Sequence, residues 1–181
     1  MNTHSSGYYS IDEEYTIIGM QAQEQGLTTV MEIEPEVYEN PYIYGSPLHL
    51  IRAMMNIYSN CIKYNKENGE IRTHVRLLHS DEKILTYQWT ISDTGIGISE
   101  DYLSRIFEPF TQEGTDARSV YQGTSLGMSI AKALFEQMGE NLEVFSKLGE
   151  GSTFVIILPF ERAQELKTTV IEKTERESIQ D

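Results

Sequence analysis

The chain has 181 residues, 39% of them hydrophobic and 23% charged, a composition that supports one globular domain with its own core. Its formal net charge of −14 excludes a nucleic-acid or anionic-membrane surface, because phosphates are repelled at long range; a phosphate ligand has to be held by a local device. The single cysteine, Cys61, excludes an internal disulfide and a cysteine-based metal site and fits a reducing cytoplasm.

Residues 1–10 read as a polar tail without a signal-peptide core, and no stretch reaches the roughly 18 apolar residues a membrane span needs, so the chain is expected to be soluble. Residues 11–25 open with acids and place Ile11, Tyr15, Ile18 and Ala22 at helical spacing, which predicts an amphipathic helix ended by Gly26. An edge strand follows from Thr28 to Ile33. Ser46 and Pro47 have the chemistry of an N-cap and a first helical position, and the apolar residues from Leu48 to Ile62 predict a long buried helix reaching about Tyr64. The segment Asn65 to Gly69 breaks the chain.

Alternation at Ile71, Thr73, Val75 and Leu77, and again at Leu85, Tyr87, Trp89 and Ile91 across a polar turn at Ser80 to Lys83, predicts an antiparallel hairpin. A short helix is expected to begin at Ser99 and stop near Pro109. Residues 111–125 show no period and read as a loop, one that functions or merely connects. Helical spacing returns from Leu126 to Met138, and strands at Leu142 to Ser146 and Thr153 to Leu158 close a domain spanning 11–160. Residues 161–181 are charged and read as a tail or linker. Antiparallel pairs mixed with helices imply an α+β class: a two-layer α/β sandwich with a mixed sheet covered on one face by helices.

Four constellations carry chemistry. Asn60 follows Asn56 by four residues, and Lys63 and Tyr64 follow Asn60 by three and four, a polar stripe on an apolar helix that is either a solvated face or a binding wall. Asp93, Gly95 and Gly97 end a strand; this is either a plain strand-to-helix turn or a tight turn whose acid accepts a hydrogen bond from a base amine. Gly123, Thr124, Ser125, Leu126 and Gly127 open a helix, which is a flexible start or an anion site made of free N–H groups. Gly149 to Phe154 reads as a hairpin turn.

In order, these motifs (NIYSNCIKYN, SDTGIGIS, IFEPF, ARSVYQGTSLGMSIAK and GEGSTFVIILPF) resemble the N, G1, F, G2 and G3 boxes of the histidine-kinase branch of the Bergerat-fold (GHKL, HATPase_c) ATPases, which also include gyrase B, Hsp90 and MutL. The resemblance runs from about Tyr8 to Phe160 and is nearest to hybrid sensor kinases of bacteria. It implies that Asn60 ligates a magnesium ion on the ATP phosphates, that Lys63 touches those phosphates and that Tyr64 stacks near the adenine. It implies that Asp93 reads the adenine amine with support from Thr153, and that Gly95, Gly97 and Ile98 line the base pocket. Phe107 and Phe110 would anchor a lid, Arg118 would reach the phosphates, and Gly123, Thr124, Ser125, Leu126 and Gly127 would cradle them.

Two departures matter. The ATP-hydrolysing branches of the superfamily carry a water-activating glutamate four residues before the metal-binding asparagine, whereas this chain has Asn56, which cannot act as a general base. Ser125 stands where glycine is usual; at a positive φ a serine costs about 1 kcal/mol. The resemblance therefore implies a kinase catalytic part that binds ATP and Mg2+ and transfers the γ-phosphoryl group to a histidine supplied by separate dimerisation helices. None of His4, His49, His74 and His79 sits in a phosphoacceptor context. A receiver domain of a response regulator is the implied downstream partner and a membrane-attached parent the implied setting. The alternatives are a degenerate, partner-docking module with weak nucleotide binding, and a self-contained ATPase.

Overall fold

The computed structural model describes residues 7–10, 13–40, 42–45, 47–109, 126–139 and 142–162. Their elements in chain order are β1 (Gly7–Ser10), α1 (Glu13–Glu24), β2 (Thr28–Ile33), α2 (Pro35–Tyr38), β3 (Tyr42–Gly45), α3 (Pro47–Lys63), β4 (Glu70–Ser80), β5 (Ile84–Asp93), α4 (Glu100–Leu103), α5 (Gly127–Gln137), β6 (Leu142–Lys147) and β7 (Gly151–Arg162).

The hairpin β4–β5 is the spine of a seven-stranded sheet in the order β1-β3-β7-β5-β4-β2, with β6 also paired to β7. Its alternation buries Ile71, Thr73 and Val75 from β4 and Leu85, Tyr87, Trp89 and Ile91 from β5 on one face. β7 continues the face with Phe154, Ile156, Leu158 and Phe160. β2 pairs with β4 in parallel, and the other pairings are antiparallel, which makes the sheet mixed.

Helices cover that buried face. α3 turns Leu50, Ala53, Met54, Ile57 and Cys61 inward at helical spacing, α5 contributes Met128, Ala131 and Phe135, and α1 contributes Ile18 and Ala22 to the same core. Tyr58 on α3 and Thr73 on β4 share a buried hydrogen bond of 2.7 Å that pins helix to sheet. No helix among the described residues is long and apolar enough to cross a membrane.

The expected α+β sandwich is present, with three differences. β1 lies in the stretch expected to be a tail, and α2 and β3 fill the gap between the first strand and the long helix. β1 and β3 are four residues each and are held by pairing with one another and with Glu161 and Arg162, so nothing local announces them. β7 accordingly runs on to Arg162, past the expected domain end at 160. Arg162 holds that corner: its guanidinium donates to the Asp81 carbonyl at 2.8 Å and to Asn40 Oδ1 at 3.1 Å. The helix expected from Ser99 is one turn long, capped by the Ser99 hydroxyl, which accepts the Tyr102 N–H.

The Tyr58–Thr73 bond yields a double-mutant test. Tyr58→Phe leaves the fully buried Thr73 hydroxyl without this partner and should lower the unfolding free energy by about 1–2 kcal/mol in urea denaturation. Combining it with Thr73→Val should recover most of that loss; strictly additive losses would show that the bond is not the cause.

Candidate functional site

With its apolar stripe turned to the sheet, α3 presents Asn56, Ser59, Asn60 and Lys63 to a cleft of about 180 Å³. Tyr64 follows the last helical residue and lines the same cleft, its N–H donating to the Asn60 carbonyl at 3.0 Å. The Lys63 ammonium lies 4.9 Å from the centroid of the Tyr64 ring, within cation–π range. The stripe is half-buried and forms a cleft wall, which separates it from a purely solvated face.

The opposite wall and floor are built where β5 ends. Asp93 is the last residue of β5 and accepts the Gly95 N–H on Oδ1 at 2.8 Å. Behind it lies the buried thiol of Cys61, which donates to the Asp93 carboxylate; burial first, and then the neighbouring negative charge, push that thiol's pKa well above its ordinary 9.0. The chain after Asp93 is strapped on two sides: Ile96 N–H donates to the Tyr64 carbonyl at 3.0 Å, and Ile96 C=O accepts Gly149 N–H at 2.7 Å.

Three positions there have no room for a side chain: a Cβ on Gly95 would overlap the Tyr64 carbonyl, and Gly97 and Gly151 add a positive φ. Gly97 has φ +68°, and a Cβ on it would overlap the Lys147 carbonyl. Gly151 has φ +101°, and a Cβ on it would overlap the carbonyl of Asp93 itself. Ile98, Tyr102, Ile106, Met128 and Phe154 supply an apolar lining, and Gly127 closes the cleft against Asn56. One cleft thus offers an acid, a cation, amides and an apolar slot, the mixture that suits a small ligand with a flat apolar part and charged groups.

Among the sequence-derived candidates, Asn56, Asn60, Lys63, Tyr64, Asp93, Gly97, Ile98 and Gly127 all line this cleft, while Gly95 contributes its amide to Asp93. Thr153 does not line it. It alternates with Ser152 and Phe154 along β7, and it is these two that face the cleft, which puts Thr153 on the other side of the sheet. Phe107 stands outside the lining with Lys132 Nζ 4.8 Å over its ring. Leu126 is the N-cap residue of α5, its carbonyl accepting the Ile130 N–H and the Ser129 hydroxyl, and it too is outside the lining. Phe110, Arg118, Gly123, Thr124 and Ser125 lie outside the described residues.

Ser59, Tyr102, Ile106, Met128, Ser152 and Phe154 also line the cleft, beyond the residues to which the motifs give a role. Ser152 is within reach of the sequence: if Phe154 packs inward, strand alternation puts Ser152 on the same face. His74 pairs with Glu34 at 3.3 Å and His79 with Asp81 at 3.0 Å, both away from the cleft.

Comparison with known proteins points the same way. Residues 45–162 match the model of the HATPase_c family, described as histidine kinase-, DNA gyrase B-, and HSP90-like ATPase. Hybrid signal transduction histidine kinase B of Dictyostelium discoideum is 33% identical over 150 residues, which are 82% of this chain and 7% of that protein. The chain therefore spans a small part of the length of the curated relatives it matches. The mycobacterial sensor histidine kinase MprB superposes with a TM-score of 0.67 at 19% identity, over 87% of this chain and 99% of that one. Full-length ShkA in complex with AMPPNP superposes with a TM-score of 0.70 at 24% identity, over 90% of this chain and 32% of that one.

The raised thiol pKa has a measurable consequence. Folding keeps Cys61 protonated where the unfolded chain ionises, so its contribution is complete below pH 9.0 and is lost as pH rises towards the folded value. Chemical denaturation between pH 8 and pH 10 should show stability falling with a slope of at most about 1.4 kcal/mol per pH unit from this group. Cys61→Ala should flatten the alkaline limb; an unchanged slope would contradict the assignment.

Proposed function

The chain belongs to the HATPase_c family of histidine kinase-, DNA gyrase B- and HSP90-like ATPases, and from that premise we propose that its cleft binds Mg-ATP and hands the γ-phosphoryl group to a histidine on a separate dimerisation helix in two-component signalling. The observation that carries the reading is the joining, in one cleft, of the Asp93 carboxylate with the polar wall of Asn56, Asn60 and Lys63.

In this reading Asp93 accepts a hydrogen bond from the adenine amine, its position held by the Gly95 amide and the Cys61 thiol. Ile98, Met128 and Phe154 enclose the base, and Tyr64 flanks it. Lys63 supplies the local positive charge that a chain of net charge −14 needs to hold a triphosphate. Among the described residues no cluster of three acidic, histidine or cysteine side chains could cage a metal on its own. That donor set suits magnesium, which keeps most of its waters and binds largely through substrate phosphates, and the Asn60 amide oxygen is the ligand this wall offers. When bound, the ion supplies neutralisation of phosphate charge.

Asn56 occupies the place from which a base would reach an attacking water, and an amide takes up no proton there. The incoming nucleophile is then an imidazole nitrogen: its bond to the γ-phosphorus forms as the bridging oxygen departs with ADP, and positioning with charge neutralisation does the catalytic work. The partners that follow are the dimerisation and phosphoacceptor helices of the parent protein and a receiver domain, with the chain on the cytoplasmic side of a membrane-attached parent.

Titration with a fluorescent ATP analogue should show saturable, magnesium-dependent binding that unlabelled ATP displaces, and Asp93→Ala should weaken it at least about tenfold. The isolated chain should release almost no phosphate, whereas adding the parent's phosphoacceptor helices should place radiolabel from the γ position on histidine. Absence of saturable binding, or steady phosphate release abolished by Asn56→Ala, would sink the reading.

A further inference from the structure

Three residues lie side by side across the strands beneath the cleft. Ser146 on β6 is the register partner of Ser152 on β7, and Ser152 is the register partner of Asp93 on β5. Register partners project to the same face of a sheet, so a hydroxyl, a second hydroxyl and a carboxylate form one lateral row. Ser152, only 7% exposed, and Asp93 line the cleft, with Ser146 on the far side of Ser152.

The proton positions in this row follow from counting. A serine hydroxyl has one proton and two lone pairs. Ser146 Oγ accepts the Ile98 N–H at 2.9 Å and lies 2.8 Å from the Gly151 carbonyl oxygen, which can only accept, so the single Ser146 proton is directed there. The remaining contact, 2.9 Å to Ser152 Oγ, is then a bond in which Ser152 donates. With its proton turned to Ser146, Ser152 has lone pairs left for the cleft, next to the Asp93 carboxylate, whose Oδ1 likewise accepts, from the Gly95 N–H.

We propose that Ser146 is a positioning residue that sets base specificity: by taking the Ser152 proton it makes the Ser152–Asp93 edge a pair of acceptors, which fits a purine with an amine at position 6 and opposes one with an oxo group there. The proposal rests on the reading of the cleft as a nucleotide site. A 6-oxo purine brings its own acceptor against two others, and polar mispairing in a site shielded from water is the kind of penalty that separates close analogues strongly. Without Ser146 the Ser152 hydroxyl turns freely and can donate to the oxo group.

The test is competitive displacement of a fluorescent nucleotide by ATP and by ITP, in magnesium, on the full chain and on Ser146→Ala and Ser146→Thr, with thermal melting to confirm folding. The wild-type chain should prefer ATP. Ser146→Ala should keep ATP affinity within about threefold while its ATP-over-ITP preference falls at least about fivefold, and Ser146→Thr, which keeps the hydroxyl, should restore the preference. If Ser146→Ala does not fold, Ser146→Cys, with a weaker hydrogen-bonding group of similar size, should lower the preference in the same direction. An unchanged preference in the folded variant, or an equal loss in Ser146→Thr, overturns the proposal while leaving ATP binding intact. A wild-type chain that binds neither nucleotide overturns the nucleotide reading and this proposal with it.

Discussion

The backbone around Asp93 is packed so closely that side chains have no room in it, and the rest of the site depends on that closeness. The Asp93 carbonyl sits against Gly151, the Lys147 carbonyl against Gly97, and the Ile96 amide reaches the end of α3 through the Tyr64 carbonyl. Three segments distant in sequence (the end of α3, the turn after β5 and the turn between β6 and β7) are thereby locked to one another. An acid at a strand end is ordinarily free to swing into solvent. Here its carboxylate receives the Gly95 amide from the front and the Cys61 thiol from behind, so its orientation is set before any ligand arrives.

The fold divides labour between the faces of its elements. One face of the sheet is closed by α1, α3 and α5 over a continuous apolar core. That burial fixes the rotation of α3, and the rotation brings Asn56, Asn60 and Lys63 to the cleft instead of to open water. Packing energy thus becomes site geometry. The same logic reconciles a strongly acidic chain with a phosphate-bearing ligand: at long range the molecule repels anions, and at short range a lysine on a rigid helix and an adjoining asparagine amide provide the grip.

What could be read from the sequence follows from the range of the forces involved. The hairpin β4–β5 and the helices α3 and α5 carry their own periodicity, two residues for the strands and close to 3.6 for the helices, because each packs one face against the core. β1, α2 and β3 carry none: four-residue elements are stabilised by partners far along the chain, and Gly7–Ser10 has no reason to be a strand until Tyr42–Gly45 lies beside it. At the site, the stripe on α3 and the turn after Asp93 were legible because spacing alone places them. The motif points to Thr153, whereas the pleat of β7 gives the cleft to Ser152. Ser59, three residues after Asn56 and four before Lys63, shares the spacing of the stripe, whereas Tyr102 and Ile106 reach the cleft by tertiary packing, which no local pattern encodes.

The central claim is that one cleft, bounded by α3 and the turn after β5, is where nucleotide binds. Backbone amide NMR of the isotopically labelled chain, titrated with Mg-ATP, tests it most directly. The account predicts that the shifts cluster, among the described residues, on Asn56 to Tyr64, Asp93 to Ile98, the start of α5 and Ser146 to Phe154. Shifts concentrated instead between α1 and the 65–67 turn, or on the outward face of the sheet, would contradict it.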